Sequence, residues 1–377
     1  MTGREKIEAA LTPTGTTSFA AVICYEGIYI RDHWDELTGS PWWYQEAPEL
    51  ERQLAWRRDV INRTGQDWFV LPTIAPRSER ENVAIRVLGG QAIRVDRRSG
   101  AEELLVRPEI GGWNPMGEVE SVRPEHLPVR KRDISSRIPV PRGDPQHQLG
   151  RGVGELAQAL LSEFGNELYP IRHVSSPLWS TYSLWGFEGM MEMVASRPEL
   201  VRHACDRYLA AARYQVRLAA ALGARGIWIE ECLTDQISPA AFAELNLPYL
   251  TKLVEEIRAA GMHSIYYYCG NPADRWEHLL DAGADALALE ESKKGFRIDI
   301  AEVVDRAGGR CAVLGNLDAI NVLAAMDEDG LRREIERQVS AGRANGGRFV
   351  MSIGSPVTPG TPVDRVRAYC EEVRRLS

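Results

Sequence analysis

From about residue 151 onward, segments with helical spacing of apolar residues alternate with short apolar runs, six times in succession. The runs are LYPIRHV, GIWIEEC, HSIYYYC, ADALALEE, CAVLGNLD and RFVMSIG. Short runs separated by amphipathic helices are the pattern of βα units feeding a parallel sheet. The helical segments are well marked: RPELVRHACDRYLAAARYQVRLAAAL carries apolar residues at spacings of three and four. SPAAFAELNLPYLTKLVEEIRAAG reads as one helix from a Ser-Pro cap to Gly261. Upstream, SFAAVICYEG and DWFVLPTI read as two further strands, which brings the count to eight. The fold class is therefore α/β, a (β/α)8 TIM barrel with an elaborated N-terminal region.

Within that region VAIRVLGGQAIRVDRRSGAEELLVRPEIGG has Gly-Gly and Ser-Gly turns between alternating runs, and reads as a β-hairpin insertion. The Pro-, Arg- and Asp-rich stretch that follows, VRPEHLPVRKRDISSRIPVPRGDPQHQLGRG, reads as a surface connection or lid. Residues 81–150 are thus the insertion and its lid or connection, inside one barrel domain that spans 1–377. With 44% apolar and 26% charged residues the chain can bury a full core. A net charge of -8 leaves no basic footprint for nucleic acid or anionic membrane. Six cysteines without a CxxC pair fit neither a disulfide framework nor a zinc ribbon. No run approaches the length of a membrane span and the first residues lack an apolar leader, so a cytoplasmic location is expected.

In such a barrel the reacting groups come from the C-terminal ends of strands, and a period of two selects the inward residues. In GIWIEEC this points Trp228, Glu230 and Cys232 inward. In HSIYYYC it groups Ile265, Tyr267 and Cys269, and in ADALALEES it selects Ala286, Ala288 and Glu290. Cys269 reads either as a small buried apolar residue or as a site thiol beside strand-end carboxylates. Glu230, Cys269 and Glu290 would give a mixed O/S ligand set for a metal ion with one position open. After the first strand, YEGIYIRDHWDE offers Arg31 and His33, which read as a solvated charge and a helix-start residue. They read equally as groups that hold a substrate anion or transfer a proton at the mouth. Trp34, Trp42, Trp43, Trp113, Trp179 and Trp185 are core anchors or the walls of an apolar pocket suited to a planar ligand.

The blocks YYYCGNPADRWEHLLDAGADALALEE, VLGNLD and GGRFVMSIGSPVTPGTPVDRVRAYCEEVRR, in that order, resemble the C-terminal half of the uroporphyrinogen decarboxylase-like superfamily. That superfamily holds the decarboxylase itself and zinc-dependent methyltransferases that act with corrinoid proteins or thiols. The resemblance implies a His-x-Cys and a later Cys as zinc ligands. Here Tyr267 stands at the His position, Cys269 keeps the Cys, and Ser355 stands at the second Cys. The decarboxylase's arginine-rich motif has no counterpart.

The resemblance and the strand ends together imply a methyl or alkyl transferase similar to corrinoid-dependent demethylases, acting on a small, aromatic methylated substrate. Tyr267, His33 and Arg31 are the expected catalytic groups. Tyr25, Glu26, Trp34, Trp179, Asn316 and Ser355 are the expected substrate contacts. Zinc and a methyl-corrinoid carried by a partner protein are the cofactors such a transferase would use. A homodimer is the assembly considered. The alternatives are a metal-free decarboxylase or lyase of the same superfamily, in which Arg31 positions a carboxylate, and a non-catalytic ligand-binding barrel.

Overall fold

The computed structural model describes residues 1–112, 127–292 and 295–376. Strands β1 (Ala21–Val22), β2 (Trp68–Val70), β6 (Tyr169–Ser175), β7 (Gly226–Cys232), β8 (His263–Cys269), β9 (Ala286–Leu289), β10 (Ala312–Leu314) and β11 (Phe349–Ser352) form one parallel sheet. Its order is β1-β11-β10-β9-β8-β7-β6-β2, so the chain runs once around a barrel whose first two strands meet at a seam. Strands β3 (Val83–Leu88), β4 (Gln91–Asp96) and β5 (Glu102–Leu104) make a separate antiparallel sheet. The β3–β4 turn is Gly89-Gly90 with φ of 57° and 82°, the positive values that a two-residue hairpin turn requires.

The seam is closed mostly by side chains. Asp67 donates its N–H to the Ala21 carbonyl at 2.8 Å, while its own carboxylate accepts the Ala21 N–H at 2.7 Å. Gln66 Oε1 accepts the Ile23 N–H at 3.1 Å. Because these side chains satisfy backbone groups that a neighbouring strand would otherwise pair, β1 has only two ladder residues where the sequence suggests a longer strand.

The period of two sorts the side chains into two layers. Ile227, Ile229, Tyr266, Tyr268, Leu287 and Leu289 join the helices in the outer core. Trp68, Tyr169, Ile171, Trp228, Ile265, Tyr267, Ala286 and Ala288 fill the barrel. The N-terminal helix Gly3–Ala10, capped by Thr2 and Glu5 in a reciprocal box, adds Ile7 and Ala10 to this inner cluster. With Ile7 and Ala10 packed against the strand side chains, one end of the barrel is plugged, and chemistry is left to the strand C-termini.

The long helix expected after Ser238 is two helices, Pro239–Leu245 and Leu247–Ala259. Pro248 has no N–H to continue the first ladder and restricts the residue before it. At the break the buried Asn246 amide donates to the Glu231 carboxyl at 2.8 Å. Of the expected surface connection, helices Lys131–Arg137 and Pro145–Gly150 are seen, while residues 113–126, Trp113 among them, lie outside the described residues. No helix among the described residues is long and apolar enough to cross a membrane.

Candidate active site

The side chains that gather at the open end come from the last inward positions of β1 and β6 through β9. Tyr267 is buried with its ring stacked on Trp228, centroids 4.8 Å apart and planes at 24°. Tyr25 meets Tyr267 edge-on at 5.6 Å. Tyr25 and Leu233 are the only non-glycine residues with positive φ among the described residues, at 54° and 62°. Each follows an inward strand end. Held left-handed conformations of this kind cost on the order of 1–3 kcal/mol and cluster at functional sites. Here the turn at Tyr25 starts the helix Glu26–Asp32 and leaves the phenol over the barrel mouth.

Four acidic or thiol groups lie beside these rings. The Tyr25 hydroxyl bonds to Glu230, and the Cys232 thiol donates to Glu230 Oε1 at 3.7 Å. Burial pushes the Glu230 carboxyl above the usual carboxylate range, and those two hydrogen bonds pull only partly the other way. Cys232 and Cys269 are register partners at the ends of β7 and β8. The adjacent Cys269 thiol first, and burial second, hold the Cys232 thiol well above its ordinary value. Cys269 in turn donates to Glu290 Oε2 at 3.4 Å. Burial also raises the Tyr25 and Tyr267 phenols, so Glu230, Cys232 and both phenols are shifted toward their neutral forms.

His173, two residues before the end of β6, belongs to the same surface. The alternation through Tyr169 and Ile171 would have selected it, but sequence reasoning passed it over. Its ring stacks at 6.0 Å and 26° on Trp228. It is exposed to solvent, as expected of a side chain lining an open mouth. The protein atoms crowded around it, with the nearby Arg172 charge, lower its pKa and favour the neutral imidazole.

The other expected residues fall into different roles. The Tyr267 hydroxyl donates to the Gly354 carbonyl at 3.0 Å, a tie within the protein at the position expected to donate to substrate. Ser355 donates to Glu291 Oε1 at 2.7 Å. Gly354 lets Glu291 come this close, since a Cβ there would meet its backbone nitrogen at 2.6 Å. Asn316 braces two loops through the carbonyls of Glu290 and Ile298 at 3.2 and 3.0 Å. Arg31 is paired with Asp32 at 2.7 Å and donates to the Gly112 carbonyl.

His33 is buried against Tyr29, its Nδ1 3.1 Å from the Tyr29 carbonyl, so it faces the helical shell. Trp34 is a core anchor whose indole N–H donates to the Ser40 carbonyl at 2.8 Å, and Trp185 is likewise buried inside the helix Tyr182–Ser196. Trp179 stacks on Tyr182 at 4.9 Å in the short helix after β6. Glu26 is turned into the seam, where Gln66 donates to it at 2.6 Å and burial pushes it to about 7.

The metal ligands that the superfamily resemblance implies do not fit this arrangement. Tyr267 and Ser355 are both tied to protein partners, and Tyr and Ser are poor zinc ligands beside His and thiolate. Glu230 and Glu290 hydrogen-bond to different thiols, Cys232 and Cys269. Among the described residues no three His, Cys, Asp or Glu side chains are gathered so as to hold a metal ion.

An eight-stranded parallel barrel carrying aromatic, thiol and carboxyl groups on its strand C-termini defines the class as an α/β-barrel protein with an active-site-like mouth. The chain belongs to the uroporphyrinogen decarboxylase (URO-D) family, whose model matches residues 117–376. It is 26% identical over 318 residues to the uroporphyrinogen decarboxylase of Crocosphaera subtropica, covering 81% of this chain and 85% of that one. It is 28% identical over 257 residues to that of Anaeromyxobacter sp. (strain Fw109-5), covering 66% and 70%. The match to the chloroplastic uroporphyrinogen decarboxylase 2 of Arabidopsis thaliana, at 26% identity, spans 59% of this chain and 56% of that protein. In structure, a methyltransferase from Methanosarcina mazei superposes with a TM-score of 0.64 at 16% identity, covering 100% of this chain and 99% of that one. That likeness supports the barrel fold over the full length.

Proposed function

We propose that this member of an enzyme family is a methyl or alkyl transferase that removes the alkyl group from a small aromatic ether. The observation that carries the reading is the chemistry of the mouth. It is lined by Tyr25, Trp228, Tyr267 and His173, with the carboxyls of Glu230 and Glu290 behind them, and no inward strand position among the described residues carries Lys or Arg. A porphyrinogen with several carboxylates needs several cations, and Arg31 is occupied by Asp32. A planar ring carrying at most one carboxylate suits the stacked walls.

In the proposed reaction the bond between the alkyl carbon and the ether oxygen breaks as an acceptor nucleophile attacks that carbon. The bonding pair stays on the oxygen, which takes a proton and leaves as a phenol. Glu230, whose carboxyl burial shifts toward its neutral form, supplies that proton directly or through the Tyr25 hydroxyl. His173, neutral, can hydrogen-bond the substrate oxygen while Trp228 fixes its ring. In similar enzymes the nucleophile is a corrinoid on a partner protein or a thiol, and either would supply the acceptor here.

The test is a panel of small aryl methyl ethers offered with a chemically reduced corrinoid as acceptor, with methylcorrinoid followed by absorbance. Turnover is expected for at least one ether, and Glu230→Gln should lower it about a hundredfold or more. Equal rates for the variant and the parent would remove Glu230 from the chemistry.

A further inference from the structure

A cavity of about 450 Å³ lies between the loop after β2, the helix Leu50–Thr64 and the hairpin sheet. It is large enough for a small organic molecule. Its apolar walls are Ala47, Pro48, Ile74 and Val83, and its charged lining is Arg57, Arg80, Arg94, Glu46 and Glu79. Four of those five charges are matched. Arg80 is paired with Glu155, Arg94 with Glu46 and Glu103, and Glu79 with Arg151.

Arg57 has no such partner: among the described residues no carboxylate lies within 4 Å of its guanidinium. One of its nitrogens, Nη1, donates to the carbonyl and side-chain oxygens of Gln53, at 3.0 and 2.5 Å. Its guanidinium carbon sits 3.9 Å from the centre of the Trp56 ring, which fixes the plane of the fork. Its Nε and Nη2 therefore remain to bind something else. Nearby Glu26, pushed to about 7 by burial, offsets this charge only in part, and burial lowers Arg57 itself to about 9. A half-buried guanidinium without an ion-pair partner, facing a cavity, is a ready counter-charge for an anion.

We propose that this cavity is a binding subsite for a small organic anion, whose oxyanion pairs with Arg57 and whose apolar body lies against Ile74, Ala47 and Val83. The planar fork suits a carboxylate or a phosphate equally. The subsite is separate from the barrel mouth and does not depend on the transferase reading.

Calorimetric titration of the full-length protein tests it with two probes, benzoate and inorganic phosphate, with no substrate or acceptor present. Saturable binding of either probe is expected, at least tenfold weaker in Arg57→Gln. Benzoate alone binding would assign a carboxylate with an apolar body, and phosphate alone a phosphoryl group. If Arg57→Gln does not fold, Ala75→Trp, at an exposed position on the cavity wall, should abolish binding by filling the space. No binding of either probe to the parent protein, or undiminished binding in the variant that folds, would overturn the proposal.

Discussion

Replacing Tyr267 by Phe removes one oxygen from a fully packed ring, and the structure says what that oxygen does. The hydroxyl donates to the Gly354 carbonyl at 3.0 Å across 87 residues of sequence, with both ends buried. Phe keeps the stack on Trp228 and the edge contact with Tyr25, so no cavity term larger than an oxygen arises. What remains is one lost hydrogen bond and one orphaned buried carbonyl, together about 1–3 kcal/mol. A chain of 377 residues unfolds with an entropy near 0.8 kcal/mol/K, at about 2.1 cal/mol/K per residue. The melting temperature should therefore fall by about 1–4 °C, which differential scanning calorimetry resolves. Because the bond ties β8 to the loop after β11, turnover should fall less than tenfold, as expected of a residue that positions the wall. An unchanged melting temperature together with a hundredfold loss of turnover would refute this reasoning and return Tyr267 to the role of proton donor.

Glu231, buried at the end of β7, has its carboxyl raised from 4.5 to about 7 by burial. The folded state binds the proton more tightly than the unfolded chain, so this group costs nothing below pH 4.5 and destabilises progressively as pH rises through 7. At about 1.4 kcal/mol per unit that cost reaches about 3 kcal/mol. Glu231→Gln should melt about 3 °C higher relative to the parent at pH 8 than at pH 5, and a difference independent of pH would contradict the assignment. Asp67→Ala opens the seam by orphaning the Ala21 N–H, and should lower the melting temperature by about 1–4 °C in the same assay. Elemental analysis of the purified protein should find well below one equivalent of zinc, and Cys269→Ser should leave that content unchanged; stoichiometric zinc lost in the variant would show that the thiols do gather a metal.

The barrel was legible because its signals are local. Strand runs, glycine turns and helix caps each sit within a few residues, and the alternation in GIWIEEC, HSIYYYC and ADALALEES assigns both faces of three strands as the structure has them. The split at Asn246 was also local, since Pro248 stands in plain view. The contacts that decide the site are not local. Nothing near Tyr267 announces Gly354, and nothing near Asp67 announces that it closes the seam against Ala21. His33 packs into the helical shell against Tyr29 because the left-handed turn at Tyr25 starts a helix at once, which carries the chain off the strand end. His173 could have been found by extending the inward count on β6.

The central claim, that an alkyl group leaves the substrate at the barrel mouth, is tested most directly with a methoxybenzoate carrying one isotopic label in its methyl group and another in its carboxyl group. One molecule then reports both reactions. Incubated with the protein and a reduced corrinoid, it should pass the methyl label to the corrinoid and keep the carboxyl label in the phenolic product. Carboxyl label appearing as carbon dioxide, with the methyl group retained, would contradict the account and make this barrel a decarboxylase.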